Sequence, residues 1–197
     1  MMTGHPVRLL LAALGAAALL LAAGCGTEQP APMSGAQESA PPPVLTHTND
    51  PSAPVTLRLV SGSAPIQTVD TDDNGVLLPP KDIAQLGWWI GSARPGSGAG
   101  TVVITGHVDD VEQGTGFAQR FSSLTPGAII EVTTADQQTR SYRVSSVDAV
   151  TKEGGLPVDE LNRLDGPETL ALVTCGGPFV GPPLGYRDNI VVLALPT

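Results

Sequence analysis

From residue 55 onward the chain is a succession of short apolar runs. Residues 55–60 alternate, with Thr56 and Arg58 between apolar positions, and residues 66–69, 88–90, 101–105, 128–133, 141–147, 169–174 and 189–195 are rich in Val, Ile, Thr and aromatics. Branched side chains at a period of two are the pattern of a pleated, half-buried surface, so these segments predict eight strands. Asp73-Asn74-Gly75, Pro95-Gly96-Ser97-Gly98, Pro126-Gly127 and Ala135-Asp136-Gln137 separate them with turn chemistry. Helical periodicity is confined to residues 157–164, where Pro157 is pre-set for a first turn and Leu161 and Leu164 share a face. So many strands and so little helix favour a closed barrel or a sandwich over a parallel α/β sheet.

The amino terminus has a different texture. After His5 and Arg8, residues 9–23 are an unbroken apolar and glycine run ending in Ala22-Ala23-Gly24-Cys25, the layout of a secretory signal over residues 1–24. The run is short for a membrane span, which needs about 20 apolar residues. Cysteine directly after Ala-Gly resembles a bacterial lipobox, with Cys25 as the lipidated residue, although Ala22 stands where Leu is usual. Lipidation, plain cleavage and an uncleaved anchor all leave the rest of the chain outside the cytoplasmic membrane. Residues 25–54, rich in Pro, Ser, Ala, Gln and Thr, have too few large apolar side chains to build a core and read as an extended tether. His47 lies within it and reads as a solvated linker residue.

Residues 55–197 are enough for one domain. The chain has net charge -9 and only two lysines. A phosphate-binding face needs clustered Lys and Arg, so nucleic acid is excluded as a partner. Asp70-Thr71-Asp72-Asp73-Asn74-Gly75 imitates the first half of a calcium loop, but Lys81 stands where the bidentate glutamate belongs. There is no His/Cys cluster for zinc. No metal or cofactor is expected.

With Cys25 assigned to the export signal, Cys175 is the sole thiol left in an exported protein. It is either buried and inert, paired between molecules, or a nucleophile. It ends a strand and meets residues 176–186, in which seven of eleven are Gly or Pro, a setting in which a scaffold aims a side chain while a loop admits substrate. His107, just past the strand at 101–105, is the domain's only histidine and could serve proton transfer or simply end a strand. Arg187 could stabilise an oxyanion or pair with Asp188. Thr174 is either a hydrogen-bonding neighbour of the nucleophile or a plain strand residue.

Ile104-Thr105-Gly106-His107, then Leu172-Val173-Thr174-Cys175, then Tyr186-Arg187-Asp188-Asn189 resemble, in order and spacing, the three signature segments of sortases, the cysteine transpeptidases of the bacterial surface. Ala171 replaces the first Thr of the usual Thr-Leu-x-Thr-Cys motif, a change on the strand and not at the sulfur. Asp73-Asn74-Gly75 to Pro79, Gly87-Trp88-Trp89 and residues 95–100 look like the actinobacterial class called class F. The resemblance spans residues 55–197 and implies an all-β, closed eight-stranded barrel with one or two short helices. It further implies that Cys175 attacks the Thr-Gly carbonyl of an LPXTG-like sorting signal, Arg187 holds the oxyanion and His107 protonates the leaving amine. Implied partners are such sorting signals, an amine acceptor such as a cell-wall peptide, and the membrane through the N-terminus, with the protein a monomer. Three other functions stay open: a related cell-wall cysteine hydrolase, an L,D-transpeptidase and a non-enzymatic surface lipoprotein. L,D-transpeptidases resemble a different arrangement, Ser-His-Gly-Cys, with histidine close to cysteine in sequence; a non-enzymatic surface lipoprotein would use the same barrel for binding.

Overall fold

The computed structural model describes residues 41–197, so residues 1–24 and Cys25 lie outside it. Eight strands form the main wall: β1 (Pro54–Leu59), β2 (Gly62–Asp70), β3 (Leu86–Trp89), β4 (Thr101–Thr105), β5 (Ile129–Thr134), β6 (Thr139–Thr151), β7 (Thr169–Gly181) and β8 (Gly185–Pro196). They run in the order β2-β1-β5-β6-β8-β7-β4-β3, and β3 pairs back onto β2 to close the barrel. The two joints β2–β3 and β4–β7 are parallel and the others antiparallel. Closure pairs every barrel strand on both sides, which satisfies the backbone without leaving a long edge.

Alternation decides what goes inside. Leu170 and Leu172 on β7, Val102 and Ile104 on β4, and Ile190, Val192 and Ala194 on β8 face the interior, where they meet Trp88, Tyr142, Ile130 and Val132. A 3-10 helix, Phe117–Ser123, adds Phe117, Ala118 and Phe121 to this core. The odd-numbered positions Val103, Ala171 and Val173 face outward, where Leu161 of the short helix α1 (Val158–Leu161), Leu77, Trp89, Leu156 and Leu193 cover them. Within the helix expected over 157–164, only this one turn forms, and Leu164 is left exposed.

Structure also begins before residue 55. Val44–Leu45 adds two residues of antiparallel ladder to the end of β2, the Thr46 amide donates to Thr68, and Asp50 pairs with Arg94. Thus the stretch read as an extended tether is, over its described residues, partly laid against the barrel. Its composition could not reveal this, because ladder bonds are made by the backbone and need no large apolar side chain.

Candidate active site

Cys175 lies on β7 two residues beyond Val173, and His107 lies two residues beyond Thr105, the last residue of β4. The parallel register pairs Val173 with Thr105, and the Gly106 amide donates to the Val173 carbonyl at 3.2 Å. The ladder thereby reaches the residue before the histidine and brings His107 alongside Cys175. On the other flank Cys175 pairs with Asn189. Arg187, two residues before Asn189, is on the same outward face as the thiol by alternation. Three residues far apart in sequence are therefore gathered on the outside of the barrel wall, at the open end of the row Ala171, Val173, Cys175.

Each has a distinct environment. Cys175 is free and half-buried. His107 is half-buried, and that burial holds its imidazole below the usual value of 6.5; the carboxylates of Asp110 and then Asp109 pull in the opposite direction without restoring it. Asp110 is itself held below the usual carboxylate range by backbone amides, first of Gln113 and then of Glu112, so its charge persists across the working range. Arg187 is exposed, and its Nε and Nη2 donate to the two carboxylate oxygens of buried Asp188, each at 2.8 Å. The ion pair weighed against the oxyanion role is thus present. The planar fork is occupied on one side, and Nη1 has no hydrogen-bond partner among the described residues.

Thr174, read either as a hydrogen-bonding neighbour of Cys175 or as a plain strand residue, bonds to backbone in this structure. Its side chain has inward parity and is buried, and Oγ1 donates to the Gly106 carbonyl at 2.8 Å. The hydroxyl that lies next to Cys175 in sequence is spent on tying β7 to the residue before His107. Neighbours along a strand point to opposite faces, so the Thr174 and Cys175 side chains diverge.

Sequence reasoning also passed over the groups around the triad. Asp109 accepts a hydrogen bond from the Tyr186 hydroxyl, linking the His107 loop to β8. Tyr186 in turn packs edge-on against Phe179, its cross-strand partner, with ring centroids 5.3 Å apart. The available signal was position alone, since Asp109 and Tyr186 each flank a singled-out residue. Gly177, at φ +72, brings the backbone so close under Asp188 that a Cβ would sit 2.2 Å from its Oδ2. No group of three or more potential metal ligands converges among the described residues. In the calcium-like segment, Asp72 Oδ1 accepts the amides of Asn74 and Val76, both at 2.9 Å, which closes an ordinary acidic turn.

A family model described as the sortase domain matches residues 51–197. The chain belongs to the sortase family. Membership implies a sortase-type cysteine transpeptidase with an extracytoplasmic, membrane-associated setting and sorting signals as substrates. Solved sortases share the fold. Sortase A from Corynebacterium diphtheriae superposes with a TM-score of 0.55 at 21% identity, covering 75% of this chain and 62% of that one. Sortase C-1 from Actinomyces oris gives 0.54 at 23% identity, covering 76% and 75%. Sortase C from Clostridium perfringens SM101 gives 0.54 at 17%, covering 77% and 72%. No curated protein matches the chain. Among the described residues, no helix of this sortase is long and apolar enough to cross a membrane.

Proposed function

We propose that this sortase cleaves an LPXTG-like signal between Thr and Gly and transfers the acyl group to an amine. The Cys175 thiolate attacks the threonine carbonyl carbon to give a tetrahedral oxyanion, which Arg187 stabilises. The C–N bond to glycine then breaks as His107 delivers a proton to the departing amine, leaving a thioester on Cys175. An incoming amine attacks that thioester, its surplus proton passes to His107, and the thiolate is released. Water reaching the same thioester gives slow hydrolysis. The observation that carries this reading is the shared register, with the thiol between the histidine-bearing and arginine-bearing strands on one outward face.

We assign it to class F on the segments around Asp73, Gly87 and residues 95–100, and place it at the outer face of the cytoplasmic membrane, lipidated at Cys25. Cys25→Ser then releases the protein from detergent-phase partitioning or blocks its processing. The deciding experiment is intact mass spectrometry after incubation with a small LPXTG-type peptide library and an amine acceptor. An acyl adduct that maps to Cys175 and is lost in Cys175→Ala supports the proposal. A domain that binds peptide but never forms an adduct would mark the barrel as a binding module.

A further inference from the structure

We infer that Tyr186 and Asp109 form a clasp that holds the His107 loop over the strand bearing Cys175, making both of them positioning residues for the reaction proposed above. The observation is the hydrogen bond from the Tyr186 hydroxyl to the Asp109 carboxylate, which joins two segments 77 residues apart in sequence. One end belongs to the loop that leaves β4, the other to β8 just ahead of Arg187, and the strand between them carries the nucleophile. The clasp therefore spans all three gathered residues.

Both ends are braced. Asp109–Asp110 pairs with Gly114–Thr115 in a small two-stranded ribbon, and the Gly116 amide donates to Val108 at 2.9 Å. Gly116 packs so tightly on the His107 carbonyl that a Cβ there would come within 2.1 Å of it. A displacement of Asp109 is thus transmitted to the backbone of His107. At the other end the Phe179 ring packs edge-on against Tyr186. The phenol's proton is held more tightly than usual, first by the bond to Asp109, then by burial, then by the Asp109 charge, so it remains a donor in the working range. Beyond the clasp, the Gly106 amide to Val173 and Thr174 Oγ1 to Gly106 anchor only the base of the loop.

Three variants separate the hydrogen bond from the charge. Tyr186→Phe removes the bond and keeps the carboxylate, Asp109→Asn keeps an acceptor and removes the charge, and Asp109→Ala removes both. Amide hydrogen exchange over residues 107–116 tests the clasp without reference to turnover. We expect faster exchange in Tyr186→Phe and Asp109→Ala, with Asp109→Asn restoring part of the protection. Single-turnover acylation by the peptide should fall about 10-fold in Tyr186→Phe and in Asp109→Ala, since small misplacements of catalytic groups carry large rate penalties. The double variant Tyr186→Phe/Asp109→Ala should lose no more than the worse single one. Unchanged exchange in Tyr186→Phe overturns the clasp. Faster exchange with acylation within two-fold of wild type overturns the positioning role. Absence of any acyl-enzyme in the wild type would overturn the transpeptidase reading itself, while the exchange data would still decide whether the clasp exists.

Discussion

Arg187 has half of its fork already spoken for, because Asp188 takes Nε and one terminal nitrogen. That arrangement holds the guanidinium against Asp188 and leaves the other terminal nitrogen without a partner among the described residues, available to the oxyanion of the proposed reaction. A lysine retains the charge but cannot keep Asp188 and reach substrate at once. Arg187→Lys is therefore expected to lower single-turnover acylation roughly 10²-fold, the scale of a lost oxyanion donor, and Arg187→Ala to do worse. A rate within a few-fold of wild type would leave the arginine as the partner of Asp188 and nothing more. His107 raises a different question, that of protonation. Acylation needs thiolate and imidazolium together, and burial disfavours the imidazolium while Asp110 favours it. The pH profile should be a bell whose limbs belong to the pair. Removing the Asp110 charge must lower the histidine's value further, so Asp110→Asn should shift the acid limb to lower pH and depress the plateau, while the asparagine still caps Glu112 and Gln113. An acid limb that stays in place would show that Asp110 has no hold on the histidine. His107→Ala should abolish peptide turnover at every pH.

Among the elements, the loop before β4 shows how the barrel is braced at the end where β4 and β7 begin, away from the site. The Glu168 side chain is buried and accepts the Gly96 amide at 2.9 Å, the Gly98 amide at 2.6 Å and the Tyr142 hydroxyl at 2.6 Å. Glu168→Ala strands three donors and should cost about 2–4 kcal/mol of folding stability in urea titration. A loss below about 0.5 kcal/mol would mean that water replaces the carboxylate without penalty. The sequence pattern found the wall better than these braces. All eight runs coincide with barrel strands, because alternation of branched residues and barrel burial are the same physical fact seen twice. What it missed obeys other rules. β7 continues to Gly181 and β8 starts at Gly185, although residues 176–186 read as loop, since Gly and Pro there join a bulged ladder through backbone groups. The 3-10 helix around Phe117 is too short to show a period. His107, Cys175 and Arg187 were legible as residues, and the Arg187–Asp188 pair was one of two readings of that arginine, but the bond from Thr174 to Gly106 depends on which backbone group lies across the wall from the hydroxyl, which the sequence does not record.

At the scale of the whole molecule, the docked segment ahead of β1 contributes to a barrel that would otherwise start at residue 54. It supplies the Val44–Leu45 ladder and the buried Ala53, and the Pro51 and Ala53 carbonyls accept the Asp136 and Ala135 amides at 2.9 Å each. A chain shortened to begin at residue 55 should unfold at lower urea than one beginning at residue 41, by about 2–4 kcal/mol, from several lost hydrogen bonds and exposed apolar surface. Equal midpoints would show that the segment merely rests on the wall. The parallel joint between β4 and β7 also has a consequence in time. Thr101 pairs with Thr169, a partner 68 residues later, and the same interval separates His107 from Cys175. Contacts so distant slow folding, because the intervening chain must close before they can be made. A chain still emerging from the export machinery has its histidine outside long before its thiol arrives, and Arg187 comes last of all. On the mechanism proposed above, a chain whose β7 and β8 have not yet arrived lacks both the thiol and the arginine, so cleavage of peptides waits for the last two strands.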